Sequence, residues 1–185
     1  SLDRLMGLSR ESGPSTIEVQ LVPNHISDRL TVRRLGDLQL ELADLGRQGG
    51  LFSATQELHA RADDSVTLVS ATRSRTGDAA GLMVTRDGQR GCWFTLPHDF
   101  LGSVFDPNVL KRDLASSLQT LMQVNATTPE RFAIPAALRS TTMLTQGSAD
   151  LVGRRQSATG FRFSSDDIEL PVEDTVAFVD VIRHV

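Results

Sequence analysis

The chain has 185 residues, of which 39% are hydrophobic and 23% are charged, and its formal net charge is -4. This length suits one sizeable domain, and the small acidic excess argues against a surface built for nucleic acid or acidic lipids. The single cysteine, Cys92, excludes an intrachain disulfide and any metal site with several cysteines.

The basic residues and the hydropathy pattern indicate a compartment. Lys111 is the only lysine among 19 basic residues, and we interpret this arginine bias as the composition of a GC-rich bacterial genome. No apolar run approaches the roughly 20 residues that a helix needs to cross a bilayer. The chain does not begin with the layout of a signal peptide. We therefore expect a cytoplasmic bacterial protein without a membrane partner.

The first third of the chain reads mainly as strands. Thr16–Val22 alternates between apolar and polar residues, which predicts a half-buried strand, and Arg29–Arg34 repeats the alternation. Asp37–Ala43 fits two periods, because leucines recur there at every second residue and also at helical spacing. We expect a strand, since it would continue the two preceding strands as a meander. Leu51–Ala62 is predicted to be a short helix, and Val66–Thr72 another strand.

A hairpin is the strongest local signal that follows. Asp87-Gly88 separates two apolar runs, which favours a two-residue type I′ turn. This turn places Leu82 opposite Trp93 and Met83 opposite Cys92. Both faces of the two strands are then largely apolar, so we expect them in the interior of a sheet that is covered on both sides.

An amphipathic helix comes next. Asp106 is a good N-cap, and Pro107 fits the first helical position, where its missing N–H is not needed. Leucines then form one stripe at helical spacing; they are Leu110, Leu114, Leu118 and Leu121. We expect this helix to pack onto the hairpin.

These elements predict an α+β fold. It would contain an antiparallel or mixed sheet of about five to seven strands, packed by the long amphipathic helix and by one or two shorter helices. We expect the main domain to span residues 1–124. Residues 125–185 would form a C-terminal extension that packs on the same core, so that the chain is a single domain.

The predicted topology brings one group of chemically useful residues together. If the strand Val66–Thr72 and the two hairpin strands are consecutive and antiparallel, Asp78, His98 and Asp99 lie at the same end of the sheet. Histidine is the side chain that normally titrates near neutral pH. With a carboxylate to orient it, His98 could act as a general acid or base. His98, Asp99 and Asp78 are therefore our catalytic candidates, and a solvated loop rim is the alternative.

Four arginines are candidates for binding an anion or a partner. Arg73 and Arg75 precede Asp78 in the same loop, and Arg154 and Arg155 lie in a segment rich in small residues. The histidines are scattered, without the spacing of a metal site, and no phosphate-binding glycine motif occurs. We therefore predict no metal site and no cofactor.

Three functions are compatible with these residues. The first is a non-catalytic protein-binding domain, an adaptor or regulatory module of a bacterial cytosolic protein, with a secretion chaperone as one form of it. The second is a hydrolase or transferase that acts on an anionic small molecule, with His98 as general acid or base. The third is an oligonucleotide-binding domain. The oligomeric state and the identity of a partner do not follow from the sequence.

Overall fold

A computed structural model of the chain describes residues 14–25, 28–72, 78–99, 102–127, 129, 131–139, 144–146, 156–157 and 169–171. Two helices lie within these ranges, α1 (Val32–Gln48) and α2 (Pro107–Gln123). The strands are β1 (Thr16–Pro23), β2 (His59–Ala62), β3 (Val66–Thr72), β4 (Ala79–Thr85), β5 (Arg90–Thr95), β6 (His98–Asp99), β7 (Gly102–Phe105), β8 (Arg131–Ala133), β9 (Ala136–Arg139), β10 (Leu144–Gln146), β11 (Gln156–Ser157) and β12 (Glu169–Pro171).

The main sheet is antiparallel and confirms the predicted α+β class. Its strand order is β12-β8-β1-β5-β4-β3-β2, and β9 also pairs with β1. A smaller sheet has the order β11-β10-β7-β6, in which β10 and β7 are parallel. Strands β8 and β9 follow residue 124, so part of the predicted extension adds directly to the main sheet. Among the residues that the structure describes, no helix is long and apolar enough to span a membrane.

Both helices pack on one face of the main sheet. Helix α1 lies over β2, β3 and β4, and α2 lies over β1 and β5. Their buried leucines belong to one core with the sheet residues that face them, such as Ile17 and Leu82. The opposite face carries a second buried cluster, which consists of Val66, Leu68, Met83 and Trp93. The hairpin strands are thus buried on both faces, as the sequence predicts.

Helix α2 begins where its sequence predicts. The Asp106 carboxylate accepts hydrogen bonds from the backbone N–H groups of Asn108 and Val109, at 3.0 and 3.3 Å. This N-cap satisfies donors that have no partner within the helix. Three of the four stripe leucines are buried in the core, namely Leu110, Leu118 and Leu121, and Leu114 is partly buried against it.

The hairpin turn contains three residues, so the predicted two-residue turn is wrong. The Thr85 N–H donates to the Gln89 carbonyl at 2.9 Å, and the Gly88 N–H donates to the Thr85 carbonyl at 3.0 Å. Gly88 has a φ of +80°, which a glycine adopts without strain. A three-residue loop that ends on such a residue is a common hairpin alternative.

The longer turn shifts the strand register by one residue. Leu82 pairs with Cys92, and Gly81 pairs with Trp93. A shift of one residue moves a side chain to the opposite face of the sheet. Cys92 therefore faces the helices, whereas Trp93 faces away from them beside Met83, and the predicted pairs are wrong.

The strands predicted for Arg29–Arg34 and Asp37–Ala43 are also wrong, because α1 occupies this region. Thr31 is its N-cap and accepts a hydrogen bond from the Arg34 N–H at 3.2 Å. The helical period buries more apolar surface than the alternating one, and the leucines that it buries are Leu35, Leu38 and Leu42. Leu40, which a strand would have buried with Leu38 and Leu42, is 77% exposed.

The short helix predicted for Leu51–Ala62 is absent, since all of these residues are described and only β2 is regular. Strand β2 pairs with β3 at the edge of the sheet, with Ala60 opposite Val69. Its four side chains are exposed. An edge strand needs no apolar pattern of its own, because its backbone hydrogen bonds hold it to β3.

Two buried charged side chains connect the main sheet to neighbouring segments. Arg90 is 4% exposed, donates to the carbonyls of Leu121 (3.2 Å) and Thr127, and stacks on the Phe132 ring at 5.1 Å. It thereby binds the carbonyl end of α2, where a cation is favourable. On the other face of the sheet, the carboxylate of Glu18, 3% exposed, accepts from Arg139 at 3.0 Å.

Candidate functional site

The antiparallel order of β3, β4 and β5 brings Asp78 and His98 together. Strand β4 begins beside the end of β3, because Thr72 pairs with Ala79. Strand β5 ends with Thr95 at the same end of the sheet, three residues before His98. The distance between His98 Nδ1 and Asp78 Oδ1 is 3.3 Å.

The contacts of the His98 ring determine which nitrogen carries a proton. Nδ1 also lies 3.2 Å from the Leu96 carbonyl oxygen. Since a carbonyl oxygen and a carboxylate oxygen are both acceptors, Nδ1 must be the donor. In the neutral ring, the basic lone pair then belongs to Nε2. The imidazole is 16% exposed and the Asp78 side chain 38%, so the carboxylate orients a mostly buried ring.

Asp78 also lines a cavity of about 720 Å³, which we call the end cleft. It lies between the loop after α1, the start of β4, the end of β5 and one side of α2. Its described lining residues are Gly49, Gly50, Leu51, Phe52, Ser53, Gln56, Asp78, Ala79, Ala80, Phe94, Thr95, Arg112, Asp113, Ser116 and Ser117. The volume lies within the range of about 300–1,000 Å³ that is typical of ligand sites.

The conformation of one glycine and two hydrogen bonds hold the loop after α1 in place. Gly50 has a φ of +75°, which allows the chain to turn sharply at the end of the helix. The Phe52 N–H then donates to the Gly46 carbonyl at 3.0 Å. The Ser116 hydroxyl donates to the Gly49 carbonyl at 2.6 Å and so fixes the loop to α2. These bonds place the Phe52 ring at the base of the end cleft.

The strand ends that form the opposite wall are also fixed. The Thr95 hydroxyl accepts a hydrogen bond from the Ala79 N–H at 2.7 Å and donates to the Ala79 carbonyl at 3.0 Å. It therefore locks the start of β4 to the end of β5. No sequence pattern indicates this role of Thr95, because the role depends on the pairing of two strands.

The end cleft combines an apolar base with a polar rim. The rings of Phe52 and Phe94 are buried and lie at its base. The rim carries the carboxylate of Asp78 and an ion pair on α2, in which Arg112 Nε lies 3.0 Å from Asp113 Oδ1. Such a site can take an apolar group inside and form polar contacts around it.

Of the other predicted site residues, only Asp99 lies in the described part of the chain. Asp99 follows His98 in β6 and is exposed, and successive side chains of a strand point to opposite sides. Arg73, Arg75, Arg154 and Arg155 lie outside the described residues. The catalytic role of His98, Asp99 and Asp78 and the binding role of the four arginines stay predictions.

Cys92 lies behind the end cleft and is not a reactive thiol. Burial raises the pKa of the Cys92 thiol to about 12, although a hydrogen bond with Ser117 opposes that shift. The thiolate is the reactive form, so Cys92 is unreactive near neutral pH. In the described part of the chain, no group of three or more histidine, cysteine, aspartate or glutamate residues could hold a metal ion.

Comparison with known proteins adds no assignment. No family model, curated protein or solved structure matches the chain. The end cleft and the contact between His98 and Asp78 are therefore the features that indicate a function.

Proposed function

We propose that this chain is a non-catalytic protein-binding domain, an adaptor or regulatory module of the bacterial cytoplasm, which holds a partner in the end cleft. One observation carries the proposal: the buried rings of Phe52 and Phe94 form an apolar base that polar groups surround. Protein interfaces have this anatomy, with an apolar anchor at the centre and polar contacts around it.

The size of the end cleft suggests how a partner would bind. A cavity of about 720 Å³ holds more than one side chain, so a short peptide segment fits it better than a single residue. An apolar side chain of the segment would lie against Phe52 and Phe94. The hydroxyl group of Ser53, an exposed residue of the cleft wall, would be available to polar groups of the segment's backbone.

Selection of peptides tests this proposal. A random peptide library displayed on phage is selected against the wild-type protein, and the selected peptides are measured against two variants. Ser53→Trp fills the mouth of the end cleft from an exposed position in its wall. Thr55→Trp is the matched control, because Thr55 is exposed in the same loop but does not line the cleft. Both substitutions leave the buried core untouched.

The proposal expects selected peptides to lose affinity for Ser53→Trp by about tenfold or more, which corresponds to about 1.4 kcal/mol, and to keep it for Thr55→Trp. Peptides that bind both variants equally would place recognition elsewhere. Failure to enrich any peptide would contradict a peptide-binding cleft.

A second function is favoured by the contact between His98 and Asp78. The carboxylate fixes the imidazole with its Nε2 as the base, as a general acid or base requires. The chain would then be a hydrolase or transferase acting on a small anionic substrate. Hydrolysis of p-nitrophenyl phosphate and of bis(p-nitrophenyl) phosphate, which are both anions, tests this hypothesis. We expect His98→Ala to lower turnover by at least about a hundredfold, and equal rates for the variant and the wild type would exclude it.

A further inference from the structure

The side of α1 that points away from the sheet carries a regular set of exposed residues, which we call the α1 outer face. The residues are Arg33, Gly36, Leu40, Asp44 and Arg47, and each is exposed. They are spaced by three or four positions, so they form one stripe along the helix. The buried leucines of α1 occupy the opposite side.

Two residues of the α1 outer face contribute nothing to packing in the described part of the chain. Leu40 is 77% exposed, the most exposed large apolar side chain in the described part of the chain, and adds nothing to the core. Gly36 lies inside the helix, where glycine costs about 0.5–1 kcal/mol relative to alanine. A Cβ atom at Gly36 would meet nothing within 4 Å, so packing among the described residues does not require a glycine there.

The positions of these residues make the α1 outer face complementary to itself. The Leu40 side chain projects from the helix. Gly36, one turn away, has no side chain, so it leaves space beside the helix for a leucine of another helix. If a second α1 lies antiparallel to the first, with the twofold axis near residue 38, each Leu40 covers the Gly36 of the other copy. A twofold contact uses the same patch on both chains and so forms this pair twice.

The charges follow the same symmetry. Arg33 lies five residues before the proposed axis and Asp44 six residues after it. In the antiparallel arrangement, each Arg33 comes close to the Asp44 of the other copy. Within one chain the two are eleven positions apart, about 16 Å along the helix, and Asp44 instead lies 3.9 Å from Arg47 on the same face. The Asp44 side chain is 71% exposed, so in the antiparallel pair it can also take the Arg33 of the other copy.

We propose that the α1 outer face binds a second copy of this chain in an antiparallel helix pair. The contact is independent of the end cleft and of the function proposed for it. A single helix pair buries less surface than a standard interface, so the dimer is weak and depends on concentration.

Sedimentation equilibrium tests the dimer with two matched substitutions. Leu40→Gln removes the apolar group from the α1 outer face, and Ala60→Gln changes an exposed apolar residue of β2, outside α1. We expect the wild type and Ala60→Gln to dimerise with the same dissociation constant, and Leu40→Gln to raise it by about tenfold. A chain that stays monomeric at every attainable concentration would overturn the proposal.

A charge exchange tests the antiparallel geometry. Arg33→Asp alone and Asp44→Arg alone should each weaken the dimer, because each puts like charges opposite one another. The double variant restores the opposite charges and should recover the wild-type dissociation constant. A dimer that ignores all of these substitutions uses another surface and would also overturn the proposal. All the changed positions are exposed, and circular dichroism checks that each variant is folded.

Discussion

Gly46 lies on the buried side of α1, where a Cβ atom would overlap the Phe52 ring that forms the base of the end cleft. In Gly46→Ala, the added methyl would overlap two ring carbons of Phe52 and lie 3.2 Å from Leu82 Cδ1. Phe52 is buried by its neighbours on every side except the end cleft that it lines. Either the ring moves into the end cleft or α1 moves away from the sheet.

The magnitude follows from two opposing effects. Overpacking of a buried site costs about 1–3 kcal/mol, and an overlap with an enclosed aromatic ring belongs in the upper part of that range. Alanine in place of glycine returns about 1 kcal/mol of helix propensity. We therefore expect Gly46→Ala to lower the free energy of unfolding by about 1–2 kcal/mol. For a chain of this length, the melting temperature would fall by about 2–8 °C.

Gly36→Ala is the matched control on the same helix. Its methyl meets no atom within 4 Å, so only the propensity gain remains and the melting temperature should rise by about 1–4 °C. Thermal unfolding followed by circular dichroism, at low protein concentration so that association does not contribute, measures both variants. Equal stabilisation by the two substitutions would show that Gly46 does not face Phe52, and the account of the end cleft would be refuted.

Three further predictions concern buried polar groups. Cys92, whose pKa burial raises to about 12, should react with a thiol reagent at pH 8 only after unfolding, and rapid reaction of the native protein would contradict its burial. Arg139→Ala should lower the unfolding free energy, measured in urea, by about 1–3 kcal/mol, because it leaves the buried Glu18 carboxylate without its cation. Adding Glu18→Gln should recover most of the loss. The absence of any recovery would contradict the pairing of Arg139 with Glu18. Arg90→Lys should lower the unfolding free energy by about 1–3 kcal/mol, since lysine cannot reach two carbonyls in the planar geometry of a guanidinium, and an unchanged urea midpoint would disprove this anchoring of α2.

Local signals were sufficient where one residue decides the structure. The N-cap Asp106 and the proline after it predicted the start of α2, and the structure confirms it. The turn at Asp87-Gly88 was located correctly, but its length was not. The Thr85 N–H and carbonyl both form bonds of the turn, and a glycine at position 88 suits the last position of a three-residue loop as well as a two-residue turn.

The error at α1 had a different origin. Leucines at positions 38 and 42 fit both periods, so the decision depended on Leu35 and Leu40. The structure buries Leu35 and exposes Leu40, which the sequence cannot show before the sheet is placed. The loop that follows α1 contains Phe52 and forms one wall of the end cleft. Because α1 was predicted as a strand, this wall was missing from the predicted site.

The contact between Asp78 and His98 was accessible from the sequence because it follows from strand order alone. The rest of the end cleft was not. Phe52, Thr95 and Ser116 come from three distant parts of the chain, and each is an ordinary residue for a loop, a strand end or a helix. Only the packing of α1 and α2 on the same face of the sheet brings them together.

The most direct test of the central claim maps a selected peptide onto the protein by changes in backbone amide chemical shifts. If the end cleft is the binding site, the largest changes occur at Gly50, Phe52, Ala79 and Thr95, and Ser53→Trp abolishes them. Changes that avoid these residues and instead cluster on β2 would contradict the assignment of the end cleft as the binding site.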